Sequence, residues 1–546
     1  MPPAPTTGLD RGLIAVVVLA ALLNGSGLSW GLPLQGFHAW DVDGIAPLDP
    51  LVAAKRMIVD DWWNSGYYNK YPLGHFFVLM AVYAPYIAYL RLSGGLRAPS
   101  EVYPFGLSDP DTALTVLALL ARGVTAAMGV GIVALVYLTA RRLAGRRAAL
   151  LAAATVAVSP AFIFYAHTGN VDTPSLFWSA LGLFAFGRVV TGHCTLGTYV
   201  LLGAAVGMAG ATKEQALPLF VLVAPSVLIL HARHVGAVPV FPWGITRSVV
   251  EPKLLAGLAA SIVTFVVATH LVFNWDGNLL RLRWRLHGIH PTYGTAYPGS
   301  EPEVGGTLDA LRQITALTAD TINPVLFLAG VVGLLVLPIR HGWARHFVLP
   351  LVSYVGFIGV VSPMPFFRAR FVMQAVLVLA FFVGPVLAVL WELGVQRSRA
   401  LLAGLVLVGV YSFLYGAEVD YLLARDARYG AEAWLQAHAT PGAVVEAVSG
   451  PVYLPRFPRH VTVRHHRDLQ SAGLETLQQR SPDFVVLSSA YSRRFEDRPA
   501  DAALLAGLLR GDFGYRPAGV FRREPVLSPP LIPGLSPEIL ILTNHH

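Results

Sequence analysis

The chain has 546 residues, of which 55% are hydrophobic and only 13% are charged, whereas soluble domains carry about 25% charged residues. Its formal net charge of +8 comes from arginines spread among loops, which argues against a nucleic-acid-binding face, and its one cysteine, Cys194, excludes internal disulfides and cysteine-based metal clusters. Many apolar runs approach the roughly 20 residues that cross about 30 Å of hydrocarbon. The composition therefore predicts a polytopic α-helical membrane protein.

The first apolar run, residues 13–33, follows Arg11 and lacks a small-residue cleavage site, so we interpret it as a signal anchor with a cytoplasmic amino terminus. Cytoplasmic loops carry an excess of Lys and Arg, which also places the basic loop 141–147 inside. This rule predicts about eleven transmembrane helices and an extracytoplasmic carboxyl terminus. The predicted spans are 13–33, 115–140, 148–166, 173–190, 198–212, 215–231, 254–274, 323–339, 347–362, 371–391 and 400–416.

The apolar run 73–92 is left out of this set. If it crossed the membrane, the loop 141–147 and every later basic loop would move to the outer side, against the charge rule. We therefore predict a juxtamembrane helix on the outer surface, with an ordinary span as the alternative.

Under this topology the first outer loop is 34–114, and the few charges that interrupt the apolar runs all fall in outer loops. An ionised group in hydrocarbon costs roughly 2.5–3.5 kcal/mol or more, so such groups tend to face a cavity and to be functional. Carboxylates and cations together would suit the transfer of a group that is carried on a lipid phosphate.

The first carboxylates of this set, Asp41 and Asp43, follow the first span and lie two residues apart. In an extended segment such residues share a face, so one can act as a base while the other tunes it. For either residue alone, a solvated loop acid is the plain alternative. We favour Asp43 as the base and take Asp41 second. Asp49 precedes a proline, as a helix cap does.

The next candidates lie at the ends of predicted helices. Lys70 precedes the surface helix, where its ammonium could neutralise a phosphate or simply extend to the membrane interface. His167 and Asp172 lie between two spans, and Asp172 also precedes Thr173-Pro174 as a helix cap would. Two such residues do not make a metal site.

Lysine and arginine also interrupt later apolar runs. Lys213 and Glu214 break an apolar stretch, and their alternative role is an ion pair in a tight turn. Arg368 and Arg370 precede a span on the predicted outer side, against the charge rule. Because arginine can grip phosphate oxygens with two parallel bonds, this position favours phosphate binding.

After Gly416 the composition becomes charged and proline-rich, without a further span. Helices are predicted at 431–439 and 502–509, and short buried strands at 444–445 and 484–487. We therefore divide the chain into a transmembrane catalytic domain, 1–416, and a small extracytoplasmic α/β domain, 417–546.

Taken in order, these motifs resemble the GT-C glycosyltransferases, in particular the branch that holds the protein O-mannosyltransferases and the aminoarabinose transferases of lipid A. The resemblance covers residues 10–220 well and 360–390 loosely. Gly44 stands where the acidic motif of the branch usually has glutamate. The motifs that carry the resemblance are Trp40-Asp41-Val42-Asp43-Gly44, Lys70-Tyr71-Pro72-Leu73, Arg122 at the start of a span, Ser159-Pro160, the Asp172 loop and Gly207–Lys213.

The resemblance implies a sugar donor on a polyprenyl monophosphate and an outer carboxylate that deprotonates the acceptor hydroxyl, with inversion at the anomeric carbon. It implies Asp43 as the base, Asp41 as the alternative, and Asp172 as a residue that orients the acceptor or supports the base. The implied lipid-phosphate partners are Lys70, Lys213, Arg368 and Arg370. Candidate substrate-binding residues are His167, Glu214, His287, His290 and Tyr293.

No metal-ligand set is predicted, although a divalent metal stays an option. The expected partners are membrane lipid, the polyprenyl-phosphate sugar and a glycan, lipid or protein acceptor, and the expected location is the plasma membrane of a bacterium. A transporter is the first competing interpretation, but transporters often consist of two related halves, which this sequence lacks. A metal-dependent oligosaccharyltransferase that uses a lipid pyrophosphate, and a non-catalytic scaffold, are the others.

Overall fold

The computed structural model describes a helical bundle followed by a small domain that contains a β-sheet. The described residues are 10–34, 39–236, 251–288, 304–361, 366–466, 469, 471–473, 476–492, 499–532 and 534–544. The first nine α-helices are α1 (Arg11–Gly25), α2 (Asp49–Ala54), α3 (Gly74–Leu92), α4 (Pro110–Ala144), α5 (Arg146–Ala157), α6 (Pro160–Ala166), α7 (Asp172–Val190), α8 (Leu196–Thr212) and α9 (Val223–His234).

The second half of the bundle contains seven more α-helices, α17 is the first helix of the small domain, and tighter or wider helical turns occur at five places along the chain. The α-helices are α10 (Pro252–Ala268), α11 (Trp275–Arg283), α12 (Thr307–Ile322), α13 (Pro324–Arg340), α14 (Gly342–Gly356), α15 (Ala369–Arg397), α16 (Arg399–Ala424) and α17 (Ala427–His438). The other turns are Lys55–Asp60, Glu214–Phe220, Trp284–Gly288, Phe357–Val361 and Pro451–Tyr453.

Within the described residues, seven helical segments are long and apolar enough to cross a membrane, or up to nine if two bent helix pairs each form one span. The prediction of a polytopic helical domain is therefore confirmed, but eleven spans exceed this count. The reason is length, because three of the predicted spans coincide with apolar helices of only 15 to 17 residues, α1, α8 and α10.

Helix α3 also passes this length test, yet both of its ends contact one end of the bundle. Gly74, at its start, packs against the carbonyl of Ala211, next to the end of α8. Leu90, near its other end, clusters with Ala113 and Leu114 at the start of α4. This arrangement favours the predicted juxtamembrane helix over an ordinary span.

The bundle has two chemically different ends. At one end, Asp10 accepts hydrogen bonds from Tyr137 and from Arg146, whose Nε and Nη2 lie 2.8 and 2.7 Å away. We call this the Asp10 end, and the opposite end, where α7 begins and α8 finishes, the Asp43 end. The exposed arginine Arg147 forms a 2.7 Å ion pair with Glu392 at the Asp10 end.

The small domain confirms the predicted α/β class. Its five-stranded sheet has the order β2-β1-β3-β5-β4, in which β1 is parallel to β2 and β3, and β5 is antiparallel to β3 and β4. The predicted boundary at 416 falls inside α16, which continues to Ala424. The elements are β1 (Val444–Val448), β2 (Thr462–His466), β3 (Phe484–Ser488), β4 (Tyr515–Phe521) and β5 (Ile539–Asn544), with α18 (Leu477–Arg480), α19 (Ser489–Ser492) and α20 (Pro499–Arg510).

Candidate active site

Asp43 lies in the loop between α1 and α2, between two cations from distant parts of the chain. Its Oδ1 lies 2.9 Å from Nζ of Lys70, and its Oδ2 lies 2.6 Å from Nη1 of Arg370 in the first turn of α15. Asp43 adopts a left-handed backbone conformation, with φ at 58°, which aspartate tolerates better than most residues. The loop, the entry to α3 and the start of α15 therefore meet at one carboxylate.

The two cations keep this carboxylate ionised. Burial raises the pKa of Asp43, but the positive charges and hydrogen bonds of Arg370 and Lys70 outweigh burial, so the pKa lies far below its ordinary value. The side chain of Asp43 remains 22% exposed, and that of Lys70 38% exposed. An incoming molecule could therefore reach this ion pair.

A second ion pair, between Lys213 and Asp172, lies beside the first. Both residues are buried, and Nζ of Lys213 lies 5.7 Å from the ring centroid of Phe371, the neighbour of Arg370. Burial lowers the pKa of Lys213, the charge of Asp172 opposes that shift, and the charge of Arg370 adds to it. Arg370 thus acts on both Asp43 and Lys213, so the two ion pairs form one cluster.

The two oxygens of the Asp172 carboxylate have different surroundings. Its Oδ1 contacts Lys213, whereas its Oδ2 is buried and has no hydrogen-bond partner among the described residues. A buried acceptor without a donor costs free energy. The free oxygen is therefore a candidate contact for a hydroxyl group of a bound molecule.

Glu214 extends the cluster through two arginines that we did not select from the sequence. Its Oε1 lies 3.0 Å from Nε of Arg281, and its Oε2 lies 3.5 Å from Nη2 of Arg285, which also donates to the carbonyl of Lys70 at 3.1 Å. Residues four apart lie on one helical face. The spacing of Arg281 and Arg285 was the available signal, but it did not indicate their partner.

Asp41 has a different environment, although only Val42 separates it from Asp43. Its Oδ1 accepts from Nη2 of Arg122 at 2.6 Å, and its Oδ2 accepts from the backbone N–H of Gly169 at 2.8 Å. Arg122 also donates to the carbonyls of Leu28 and Trp30, and its side chain is fully buried. Asp41 therefore ties the loop to α4.

The small domain holds the same loop from the other side. The guanidinium of Arg428 lies 4.0 Å from the ring centroid of Trp40, and Nε1 of Trp30 donates to Asp426 at 3.0 Å. Asp426 in turn pairs with Arg428 at 2.7 Å. These contacts join residues almost 400 positions apart, so no local sequence signal could have indicated them.

The remaining predicted site residues lie at or beyond the edge of this cluster. The guanidinium of Arg368 lies 5.0 Å from the ring of Phe366. His167 is fully buried, with Nδ1 2.8 Å from the carbonyl oxygen of Ile163 and Nε2 3.5 Å from Asp420. Burial lowers the pKa of His167 to about 4, so its ring is neutral at pH 7. His290, Tyr293 and the side chain of His287 lie outside the described residues.

In the described part of the chain, no group of three or more His, Cys, Asp or Glu side chains is placed to hold a metal ion. The described site consists of carboxylates that face guanidinium and ammonium groups. Such a set can bind a phosphate and accept a proton within one small volume.

Comparison with known proteins gives one family match. Residues 116–250 match the family described as dolichyl-phosphate-mannose-protein mannosyltransferase. No curated protein matches the chain significantly.

Two solved structures are similar at low identity. The oligosaccharyltransferase AglB from Archaeoglobus fulgidus, in complex with an inhibitory peptide and a dolichol-phosphate, shares 13% identity at a TM-score of 0.47, over 92% of this chain and 72% of that chain. ArnT from Cupriavidus metallidurans, bound to undecaprenyl phosphate, shares 15% identity at a TM-score of 0.45, over 97% of each chain. At these values the two structures carry no argument about the activity.

The family match covers residues 116–250 of the 546 and agrees with the family that the sequence resembles.

Proposed function

We propose that this protein is a glycosyltransferase that moves a sugar, with inversion, from a polyprenyl monophosphate to a hydroxyl acceptor on the outer face of the membrane. The observation that carries the proposal is the carboxylate of Asp43, which lies 2.9 Å from Lys70 and 2.6 Å from Arg370. A base and two phosphate-binding cations in direct contact are what a displacement at a sugar phosphate requires.

Donor binding would exchange the partners of these cations. The donor phosphate is an anion and competes with Asp43 for Lys70 and Arg370, because both cations can bind phosphate oxygens. Once their charges are shared with phosphate, the pKa of Asp43 rises towards its ordinary value. Burial adds to this rise. The donor therefore converts a weakly basic carboxylate into a stronger base.

The reaction is then a single displacement. Asp43 takes the proton of the acceptor hydroxyl, the acceptor oxygen attacks the anomeric carbon, and the bond between that carbon and the phosphate oxygen breaks. The bonding electron pair leaves with the polyprenyl phosphate. Lys70, Arg370, Lys213 and Arg368 stabilise the charge on the leaving group. One attack from the opposite side inverts the anomeric configuration.

Asp172 has the second carboxylate role in this proposal. Its buried Oδ2 has no hydrogen-bond partner in the part of the chain that the structure describes, so it can accept a hydrogen bond from a hydroxyl of the acceptor or of the sugar and orient that hydroxyl. Lys213 contacts the other oxygen, Oδ1, and so leaves Oδ2 available for this role. Asp41 has both oxygens occupied, so we assign it the role of positioning the loop.

The chemical difference between the two ends of the bundle supports an outer location for the active site. Arg146 and Arg147 lie at the Asp10 end, and both side chains are more than half exposed. Exposed arginines in short loops favour the cytoplasm. The Asp43 end then faces outwards, where a sugar on a membrane carrier reaches an extracytoplasmic acceptor.

The test is the substitution Asp43→Asn in the full chain reconstituted in liposomes. Transfer of radiolabel from a polyprenyl-phosphate sugar to an envelope fraction should fall about 10²–10⁴-fold, the usual contribution of a general base. Asp49→Asn, the same substitution on an exposed residue of α2, should leave transfer unchanged. Nearly full transfer by a folded Asp43→Asn enzyme would reject the assignment.

A further inference from the structure

A second charged cavity lies away from Asp43, where the last membrane helix meets the small domain. It has a volume of about 470 Å³ and lies between the end of α16 and the end of β4. Its lining includes Arg425, which follows α16, and Arg522 and Arg523, which follow β4. The catalytic proposal uses none of these arginines.

The cavity carries positive charge that its own walls do not balance. Arg522 forms ion pairs with Glu524 and Glu538. Arg425 and Arg523 are exposed, and no residue in the described part of the chain forms an ion pair with either. Asp426 also lines the cavity, but its carboxylate is bound by Arg428 and Trp30. An anion is the complementary occupant.

The position of Arg425 along α16 places the cavity at the membrane surface. The helix begins at Arg399 and exposes Val406, Leu407 and Val410 on its lipid-facing side. At about 1.5 Å per residue, the roughly 20 residues that follow Arg399 cross the hydrocarbon, which then ends near Asp420. Arg425 then lies about 7 Å further out, at the level of the lipid headgroups.

The loop after β4 is tied to α16 at the edge of the hydrocarbon, near Asp420. The carboxylate of Glu418 in α16 accepts the backbone N–H groups of Leu527 and Ser528, each at 2.9 Å. Beside this anchor, Val526 is 87% exposed and Leu527 42% exposed. Exposed apolar side chains held at that level by a buried carboxylate are typical of a loop that contacts lipid.

We propose that this cavity binds the phosphate of an anionic phospholipid headgroup, with Arg425 and Arg523 as its partners. The bound lipid would hold the small domain against the bilayer while the loop at Val526 inserts at the interface. A free phosphate ion has the same charge chemistry, but the apolar loop and the level of the cavity favour a lipid. The site is independent of the transfer reaction.

The experiment compares two double variants of the full chain in micelles that contain equimolar phosphatidylcholine and phosphatidylglycerol. Wild type should retain phosphatidylglycerol selectively, as measured by mass spectrometry of bound lipid. R425Q/R523Q should bind it about thirty-fold more weakly, because each basic residue near the surface contributes about a five-fold gain. R510Q/R516Q removes the same charge from α20 and the far end of β4, and should bind as wild type does.

Several outcomes of this experiment would overturn the proposal that the cavity binds a lipid headgroup. Unchanged phosphatidylglycerol binding in R425Q/R523Q would overturn the proposal, as would an equal loss in R510Q/R516Q. Inorganic phosphate that displaces phosphatidylglycerol at matched concentration would also overturn it, because the site would then bind a free anion. If R425Q/R523Q does not fold, R425K/R523K tests the same point. The lysines keep the charge but lose the forked donors, so an intermediate loss supports the proposal, whereas binding as tight as in wild type contradicts it.

Discussion

Asp41 and Asp43 have the same side chain and are two residues apart, yet their environments differ. Asp41 is 5% exposed and bound by a guanidinium and a backbone N–H. Asp43 is bound by two cations, one of which, Lys70, is 38% exposed. The ion pair of Asp41 with Arg122 is closed to ligands, whereas the ion pairs of Asp43 can exchange partners. Accessibility of the partner, more than charge, separates a structural carboxylate from a reactive one.

The energetics of the two sites follow from this difference. Breaking a buried ion pair leaves one charge unpaired in a low-dielectric interior, which is strongly destabilising. A pair that water and ligand can reach loses less, because either can replace the missing partner. Substitutions at Asp41 should therefore affect folding first, and substitutions around Asp43 should affect catalysis first.

The largest effect on stability should come from Asp41→Asn. The buried guanidinium of Arg122 would lose its counter-charge, so the free energy of unfolding should fall by about 3–5 kcal/mol. Chemical denaturation in detergent would measure this loss. Asp43→Asn should cost clearly less in the same assay. Equal losses would contradict the distinction between the two carboxylates.

A smaller effect, on activity, should come from Arg370→Gln. Removing one donor to developing negative charge typically lowers kcat about 10²–10³-fold. The variant also removes the cation whose charge lowers the pKa of Asp43 more than that of Lys70 does, so that pKa should rise.

The pH profile tests the cause of this loss. A general base works deprotonated, and activity disappears as pH falls through its pKa. A raised pKa therefore moves the acidic limb of the kcat/KM profile of Arg370→Gln to higher pH. A profile that drops in height without moving would indicate that Arg370 does not act on Asp43.

The smallest effect on activity should come from Arg428→Lys in the small domain. Lysine keeps the charge but loses the contact of the guanidinium with Trp40, an interaction worth roughly 0.5–2 kcal/mol, and the forked hydrogen bonds to Asp426. The loop that carries Asp43 should loosen, so kcat should fall with little change in KM for the donor. Arg456→Lys is the matched control, because its guanidinium is farther from Trp40, at 5.1 Å. If both variants lose the same activity, Arg428 has no special positioning role.

Much of the fold could be predicted from the sequence because hydrophobic length and charge placement are local properties. The helical membrane domain, the α/β domain and the concentration of unusual charges in loops all follow from them. Helix length was less predictable, since α1 has only 15 residues and ends at Gly25, whereas the predicted span continued to residue 33.

The candidate site could be predicted only in part. The sequence by itself determined that Asp43, Lys70, Lys213 and Arg370 are charges at the borders of apolar runs. Only the tertiary structure decided that Asp41 is closed by Arg122, that Arg281 and Arg285 bind Glu214, and that Arg428 stacks on Trp40. The physical reason is range, since apolarity and helical spacing act over a few residues, whereas partners far apart in the chain are chosen by how the helices pack.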